Sequence, residues 1–271
     1  MEIPEKYKYR TTFTSIAKVV KEPDADRFIA KASLQPLRSL LPAGIELNDD
    51  VLCVAGNGAV ANLANRNGDV VSSDTALALY KTAIHKFVDT DHDREKVVGA
   101  IVSVGLTKFG TNEPISEEDA AKLSEPFNMA FAAVLWKVVD PKVTRYLMKV
   151  GDSLDEFALS FSWEVAFESY DLAIGSKNLF DAKIVKADDP TFGVLSKYLR
   201  SNGGKGTTPD GSDIFRVISG DAIILGYGIV TNPAAEVKGI LPITEEKLVQ
   251  VTVVPAPEIA PAQVVETVVA A

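Results

Sequence analysis

His92 is the residue of this chain best placed to act as a base. It lies in the charged stretch 91–96 (DHDREK), directly before an apolar run. The neighbouring carboxylates favour the protonated imidazole and are expected to raise its pKa, which suits general-base chemistry and equally suits an ordinary solvated turn. On base rates alone, His92 and the second histidine, His85, are each ordinary surface or core residues.

A strand with an unusually regular pattern supplies two serines. Over residues 157–167 every odd position is a large apolar residue, and every even position is alanine, serine or glutamate. This period of two predicts a β-strand whose apolar side chains face the core. The other face, with Ser160, Ser162 and Glu164, is small and polar, and in an antiparallel sheet such a face is usually exposed to solvent.

Three other motifs have a familiar spacing but depart from it in their details. Gly56–Ala61 (GNGAVA) follows a predicted strand as in dinucleotide-binding folds, yet asparagines crowd the place of the next helix, so a glycine-containing turn is expected instead. The loop 201–208 lacks the Ser or Thr that follows the lysine of a phosphate loop. Asp89–Asp93 (DTDHD) opens like a calcium loop but continues with Arg where that loop needs Gly. No cofactor and no metal ion are expected.

Composition limits the classes of function. The chain has 271 residues, of which 46% are hydrophobic and 24% are charged, as in ordinary globular proteins. A formal net charge of −9 argues against binding nucleic acid through phosphate contacts. The single cysteine, Cys53, excludes an internal disulfide and any cysteine-rich metal site. The longest apolar run, Ala222–Val230, is too short to cross a bilayer, so neither a membrane nor nucleic acid is an expected partner.

Strands outnumber helices among the elements that the sequence predicts. Short runs rich in β-branched residues indicate buried strands, and Ser or Asp before an acidic or Pro-led first turn indicates the start of a helix. A β-rich α+β fold is therefore the expected class. The predicted strands cover 51–55, 97–104, 127–139 and 157–167, and the predicted helices cover 116–123 and 141–150.

The texture of the sequence changes after Ile240. Residues 241–271 consist mostly of Val, Ala, Pro, Glu and Thr, with no glycine and no aromatic residue. Such a segment has little with which to pack a core. We therefore expect one folded domain, residues 1–240, followed by a mobile tail or linker, residues 241–271.

Three segments, in this order along the chain, resemble elements of the tailed-phage prohead maturation proteases. Residues 92–99 (HDREKVVG) look like the family's His-x6-Gly element, and 159–161 (LSF) look like the context of its nucleophile. Residues 229–234 (IVTNPA) are similar to its late strand, which ends in Thr-x-Pro-Ala. These proteases are related in fold to the herpesvirus assemblins. The resemblance therefore implies a β-rich assemblin-like barrel with flanking helices.

The resemblance also implies an activity. Members of the family are serine endopeptidases that cleave scaffold and major capsid proteins, and often themselves, inside the prohead as it assembles in the host cytoplasm. Ser160 would be the nucleophile and His92 its base, with Ser162 as the alternative nucleophile on the same face. The family's frequent preference for Leu/Ile-x-Glu sites places an expected self-cleavage near Glu245 in the tail.

The third catalytic group is left open. Phage members often have an acid in the late strand, but residues 225–229 (LGYGI) contain none. Glu164 and Asp221 are the candidates, and Glu164 lies about 13 Å along the strand from Ser160, so it would serve Ser162 more readily. Because an acid is missing there, the alternative function is a non-catalytic virion structural or scaffold-associated protein with the same fold.

Overall fold

A computed structural model describes residues 4–12, 35–42, 50–150, 160–230 and 241–243. Over these ranges the protein is a strand-rich α+β fold built on one mixed sheet of 11 strands, so the predicted class is confirmed. The strands are β1 (Tyr9–Thr12), β2 (Val51–Ala61), β3 (Asp69–Val71), β4 (Phe87–Thr90), β5 (Asp93–Lys108), β6 (Pro114–Ile115), β7 (Phe127–Trp136), β8 (Ser160–Ile174), β9 (Lys183–Val185), β10 (Ile214–Val230) and β11 (Leu241–Ile243). The α-helices are α1 (Ser73–Leu79), α2 (Glu117–Lys122), α3 (Pro141–Val150) and α4 (Phe192–Leu195), and short 3-10 helices cover Gln35–Leu40, Tyr80–Ala83, Leu179–Asp181, Ser196–Tyr198 and Arg200–Asn202.

Strand β10 organises the part of the sheet that matters most for function. The hydrogen-bonded order is β1-β8-β10-β3-β2-β7-β5-β4. β10 pairs with β8 in the antiparallel sense along most of its length. On its other edge it pairs in parallel with β3 through Arg216–Ile218 and with β4 through Tyr227–Ile229. The C-terminal end of β10 therefore lies between β8 and β4.

The apolar pattern of β8 is confirmed wherever the structure describes its side chains. Phe131 of β7 packs against two rings of this core, with centroids 4.5 Å from Phe161 and 4.2 Å from Tyr227. Each such ring contributes about 1.5–3 kcal/mol when it is fully buried, so this strand is anchored firmly. The odd-numbered residues of β8 in the main core are Phe161, Trp163, Val165 and Phe167.

Both predicted helix starts are confirmed. The Ser116 hydroxyl accepts a hydrogen bond of 3.0 Å from the backbone N–H of Asp119 at the start of α2. Asp140 accepts bonds of 3.0 Å from the N–H groups of Lys142 and Val143 at the start of α3. These side chains satisfy donors that have no partner within a helix.

The segment Gly56–Ala61 is not a turn, contrary to the sequence-based expectation. β2 runs through it and pairs with β7, with one register shift between Asn57 and Ala59. A β-carbon at Gly58 would lie 2.5 Å from the Phe131 ring and 2.6 Å from the Tyr227 ring. Close packing of aromatic rings therefore explains the glycine, and the segment does not form the strand-to-helix turn that binds a dinucleotide.

The predicted tail begins inside the sheet. Leu241–Ile243 form β11, which pairs in the antiparallel sense with Cys53–Ala55 of β2. The first three residues of the predicted tail thus extend the sheet of the main domain, and the rest of it lies outside the described residues.

Cys53 is fully buried, as predicted. None of the helices in the described ranges is both long and apolar enough to cross a membrane.

Candidate active site

Ser162, Gly228 and Asp89 form a row across three neighbouring strands, β8, β10 and β4. Gly228 is the register partner of Ser162 on one side and of Asp89 on the other. Residues opposite each other on adjacent strands point to the same face, so the serine and the aspartate share a face with a bare glycine between them. Neighbouring strands lie about 4.8 Å apart, which leaves about 10 Å between the Ser162 and Asp89 backbones.

The polar face of β8 is buried rather than exposed to solvent. Ser162 is 1% exposed and Glu164 is 6% exposed. Burying polar groups is unfavourable unless other polar groups satisfy them. This face of the sheet therefore has a different role from the solvated second face that the alternation alone suggested.

A tight hairpin turn brings His92 to the row. The β4–β5 hairpin closes through Asp91 and His92, whose φ angles are 56° and 59°. Positive φ at both central residues is the geometry of a type I′ turn, which suits the twist of antiparallel strands. Asp and His enter this region more readily than most residues, though such a conformation costs of the order of 1–3 kcal/mol. The Asp91 N–H donates to the Ile229 carbonyl at 3.1 Å and ties the turn to β10.

Gly228 leaves the space that His92 occupies. A β-carbon at this position would lie 3.0 Å from both the backbone N and Nδ1 of His92, and 3.1 Å from Oδ1 of Asp89. These separations are tighter than almost all real β-carbon contacts, so a larger residue would displace the ring or the carboxyl. The His92 backbone N–H also donates to the Asp89 carboxyl. The imidazole and the carboxyl thus share the space above Gly228.

Burial sets the protonation states of His92 and Asp89. Nε2 of His92 and Oδ1 of Asp89 are buried and have no hydrogen-bond partner among the described residues. Burial lowers the pKa of His92 from its ordinary value of 6.5, although Glu164 and Asp91 act in the opposite direction, so the expectation of a raised pKa is wrong. Burial also raises the pKa of Asp89 from 3.8 to about 6. At neutral pH the imidazole is therefore neutral and able to accept a proton.

Glu164 lies one row away from Ser162, opposite Gly226. Both of its carboxylate oxygens accept hydrogen bonds of 3.0 Å from Nη2 of Arg94, and Arg10 approaches within 3.8 Å. Arginines, rather than the imidazole, hold this carboxylate. Of the acids near His92, Asp89 is the one that shares the space above the glycine.

Ser160 and Asp221 have different positions relative to this row. Ser160 begins β8 opposite Val230, so its backbone lies one row beyond Ser162, and its side chain lies outside the described residues. Asp221 is exposed and pairs with Lys6 at 2.8 Å. It lies seven residues before Gly228 on β10, about 23 Å along the strand, so this candidate for the third catalytic group is too far away to orient His92.

Two further predictions from the sequence fall outside the described residues. Thr231–Ala234, the end of the third family-like element, and Glu245, the expected self-cleavage site, are both among them. Only Ile229 and Val230 of that element are described, at the end of β10.

The sequence alone did not identify Asp89 and Gly228 as candidate site residues. Asp89 stands out there only as part of a calcium-like spacing, and within the described ranges no group of three or more His, Cys, Asp or Glu side chains is placed to hold a metal ion. Two signals were available. An acid beside Val88, next to a hairpin loop, is unusual in a buried strand, and alternate glycines at 226 and 228 indicate that other groups approach one face closely.

Comparisons with protein-family models, with curated proteins and with solved structures found no match for this chain. The arrangement of its own residues is therefore what supports a function. Together these residues present a serine, a neutral imidazole and a carboxyl on one face of three adjacent strands, which is the set that nucleophilic acyl transfer needs.

Proposed function

We propose that the protein is a serine endopeptidase in which Ser162 is the nucleophile, His92 the general base and Asp89 the group that orients the base. One observation carries the proposal: Ser162, Gly228 and Asp89 are in register, and His92 lies on the glycine between them. Serine, histidine and aspartate in this order form hydrolytic sites on several unrelated folds. Ser160, one row further along β8, is the second candidate for the nucleophile.

The proposed chemistry is acyl transfer through a covalent intermediate. Oγ of Ser162 attacks the carbonyl carbon of a peptide bond while its proton passes to Nε2 of His92. The imidazolium then gives this proton to the departing amine, and the acyl group stays on Oγ. A water molecule, deprotonated by His92, releases the acid, and the proton returns to Oγ. Asp89 stabilises the imidazolium in both halves of the reaction.

The resemblance to prohead maturation proteases supports a peptide as the substrate. An assemblin-like barrel is part of the same proposal, and the strand pairings favour it. β10 pairs with both β3 and β4, so the path of paired strands through β3, β2, β7, β5 and β4 returns to β10. On this proposal the enzyme cleaves scaffold and major capsid proteins, and itself near Glu245, inside the prohead in the host cytoplasm.

The competing function is a virion structural or scaffold-associated protein without catalysis. The sequence supports this alternative because residues 225–229 contain no acidic residue. Asp89 supplies a carboxyl beside that strand, because β4 runs parallel to β10 and places Asp89 opposite Gly228. The site therefore contains all three groups, and this favours the peptidase.

A fluorophosphonate probe tests the nucleophile without knowledge of the substrate. Oγ of an activated serine forms a bond to phosphorus, fluoride leaves, and the serine proton passes to the base. We expect labelling of Ser162, mapped by peptide mass spectrometry, that is abolished by Ser162→Ala and by His92→Ala. The reaction should be slow, because Ser162 is 1% exposed and the groups above it must move aside. Labelling of Ser160 instead would identify that residue, one row further along β8, as the nucleophile. Labelling of neither serine would refute the proposal that the protein is a serine endopeptidase.

A second measurement tests the peptide bond. The intact mass of the purified chain is followed over a long incubation and compared with that of Ser162→Ala and His92→Ala proteins that show the same circular dichroism. We expect the wild type to lose a C-terminal fragment by cleavage near Glu245, and the two variants to stay intact. The same cut in all three proteins would indicate a contaminating protease and would count against self-cleavage.

A further inference from the structure

We infer that Arg94 and Glu164 hold the His92 turn in place over Gly228, so that both act as positioning residues for the base. This inference rests on the proposed function, since it assigns a task to a charged pair beside the proposed catalytic groups. It also gives Glu164 a role different from that of the acid that orients the imidazole.

The β5 side of the β4–β5 hairpin tip is poorly fixed by backbone pairing, whereas the β4 side pairs with β10 through Thr90. Thr90 pairs with Asp93, but the preceding residue, Asp89, pairs with Val97. Residues 94–96 of β5 therefore bulge out between two successive pairs. The described pairing of β5 with β7 begins further along, at Gly99. Contacts other than the ladder must hold this β5 side of the tip, which begins directly after His92.

Arg94 supplies such a contact from within the bulge. Its Nη2 donates to both oxygens of Glu164 at 3.0 Å, which joins the bulge to β8. Its guanidinium also lies 6.0 Å from the centroid of the Phe87 ring. That ring packs directly on Gly226, the register partner of Glu164. The guanidinium is thus held by a charged hydrogen-bonding partner and by an aromatic ring.

The pair acts across the same face as the proposed catalytic row. Glu164 lies one row from Ser162 on β8, and Arg94 lies two residues after His92. The two residues from His92 to Arg94 can span at most about 7 Å, so the contact of Arg94 with Glu164 restrains the backbone close to the imidazole. Hydrogen bonds between charged groups are short and strong, which suits a contact that must fix a position.

The charges around His92 give the pair a second, measurable effect. Glu164 of β8 and Asp91 of the turn act on the charge of the imidazole, and Asp89 of β4 lies beside it over Gly228. Arg94 of β5 and Arg10 of β1 both pair with Glu164. Glu164 raises the pKa of His92. The Arg94 guanidinium pairs with Glu164 and so offsets part of the charge of that carboxylate, and a nearby cation favours the neutral imidazole. Removing the charge of Glu164 and removing that of Arg94 should therefore shift the acid limb of the pH profile of the labelling rate in opposite directions. A residue that only supported folding would not do so.

Three variants test the inference, with the rate of fluorophosphonate labelling followed against pH in the full chain. Glu164→Gln should slow labelling about 10- to 100-fold and move the acid limb to lower pH. Arg94→Met should slow it similarly and move the limb to higher pH, because Arg10 at 3.8 Å is then the remaining cation paired with Glu164 among the described residues. Arg94→Lys retains the charge and should restore most of the rate. Glu168→Gln, an exposed acid on the same strand, is the matched control and should behave as the wild type.

The outcomes separate this inference from the proposed function. If Ser162→Ala abolishes labelling while Glu164→Gln matches the wild type in rate and pH profile, the positioning pair is refuted and the proposed peptidase is retained. If wild-type labelling does not depend on Ser162 or Ser160, the proposed function itself fails. Glu164→Gln and Arg94→Lys both preserve side-chain shape or charge, so the test does not depend on whether Arg94→Met folds.

Discussion

Replacing Asp89 by Asn is expected to stabilise the fold while it impairs the site. The residue is 1% exposed, and within the part of the chain that the structure describes one carboxylate oxygen has no hydrogen-bond partner. Burial raises the pKa of this carboxyl from 3.8 to about 6. The folded state therefore disfavours the charged form that Asp89 adopts at neutral pH. The amide of Asn has no charge and keeps an oxygen for the His92 N–H.

The magnitude follows from the shift in pKa. A displacement from 3.8 to about 6 is about two pKa units, or ~3 kcal/mol at about 1.4 kcal/mol per unit. Solvent near the turn screens part of this, so we expect Asp89→Asn to raise the free energy of unfolding by about 1–3 kcal/mol at about pH 7.5. Because the folded pKa is raised, the stability that Asp89 contributes is present below about pH 3.8 and is lost as the pH rises through about 6. The advantage of the variant should accordingly fall to about half at about pH 5.

Urea unfolding at these two pH values measures the effect, and Asp69 provides an opposite control. Asp69 is also buried, but its carboxylate accepts hydrogen bonds from Arg216 at 2.6 Å and from Thr11 at 2.8 Å. Asp69→Asn leaves the buried Arg216 without its counter-charge and should destabilise the protein by about 3–5 kcal/mol. The same substitution at two buried aspartates should thus change stability in opposite directions.

Two results would refute the reasoning about Asp89. If Asp89→Asn is no more stable than the wild type at about pH 7.5, the buried carboxylate does not carry the expected cost. If the variant is more stable but labels with fluorophosphonate as fast as the wild type, Asp89 does not assist His92. A stabilised protein with slow labelling is the expected combination.

Two further predictions follow from the space above Gly228. Gly228→Ala places a β-carbon 3.0 Å from Nδ1 of His92, so it should slow labelling about 100-fold while circular dichroism is unchanged, whereas unchanged labelling would show that the ring does not need this space. The wild-type labelling rate should fall on acidification with a midpoint below 6.5, because burial lowers the pKa of His92, and a midpoint above that value would contradict a buried imidazole.

The elements that local patterns determine could be predicted from the sequence. The alternation over 157–167 predicted correctly which face of β8 points to the core. Successive side chains of a β-strand point to opposite faces, so the large apolar residues at every second position must share one face. Ser116 and Asp140 marked helix starts because a cap depends only on residues two or three positions away. The prediction of a turn at Gly56–Ala61 was wrong because Gly58 is required by the rings of residues that are distant in sequence. From its sequence neighbours alone, such a glycine cannot be distinguished from one that a turn requires.

The site itself could not be assembled from the sequence because it depends on one long-range pairing. The parallel contact of β10 with β4 joins residues about 140 positions apart and places Asp89 opposite Gly228. Neither strand shows in its own residues which neighbour it will have. The same limit explains the error for His92, whose charged sequence neighbours suggested a raised pKa while the tertiary fold buries its ring and lowers it.

Two local costs coincide at this one place in the fold, and together they support the view that the site serves a function. Asp89 is a buried carboxyl with an unpartnered oxygen, and His92 takes a left-handed conformation in a bulged hairpin. Asn in place of Asp89 would remove the buried charge, and Gly in place of His92 would adopt the left-handed conformation without strain. Neither replacement would change the pairing of the strands. A purely structural protein gains nothing from keeping a titratable pair in such surroundings. An acyl-transfer site needs both groups, and it needs the neutral imidazole that burial produces.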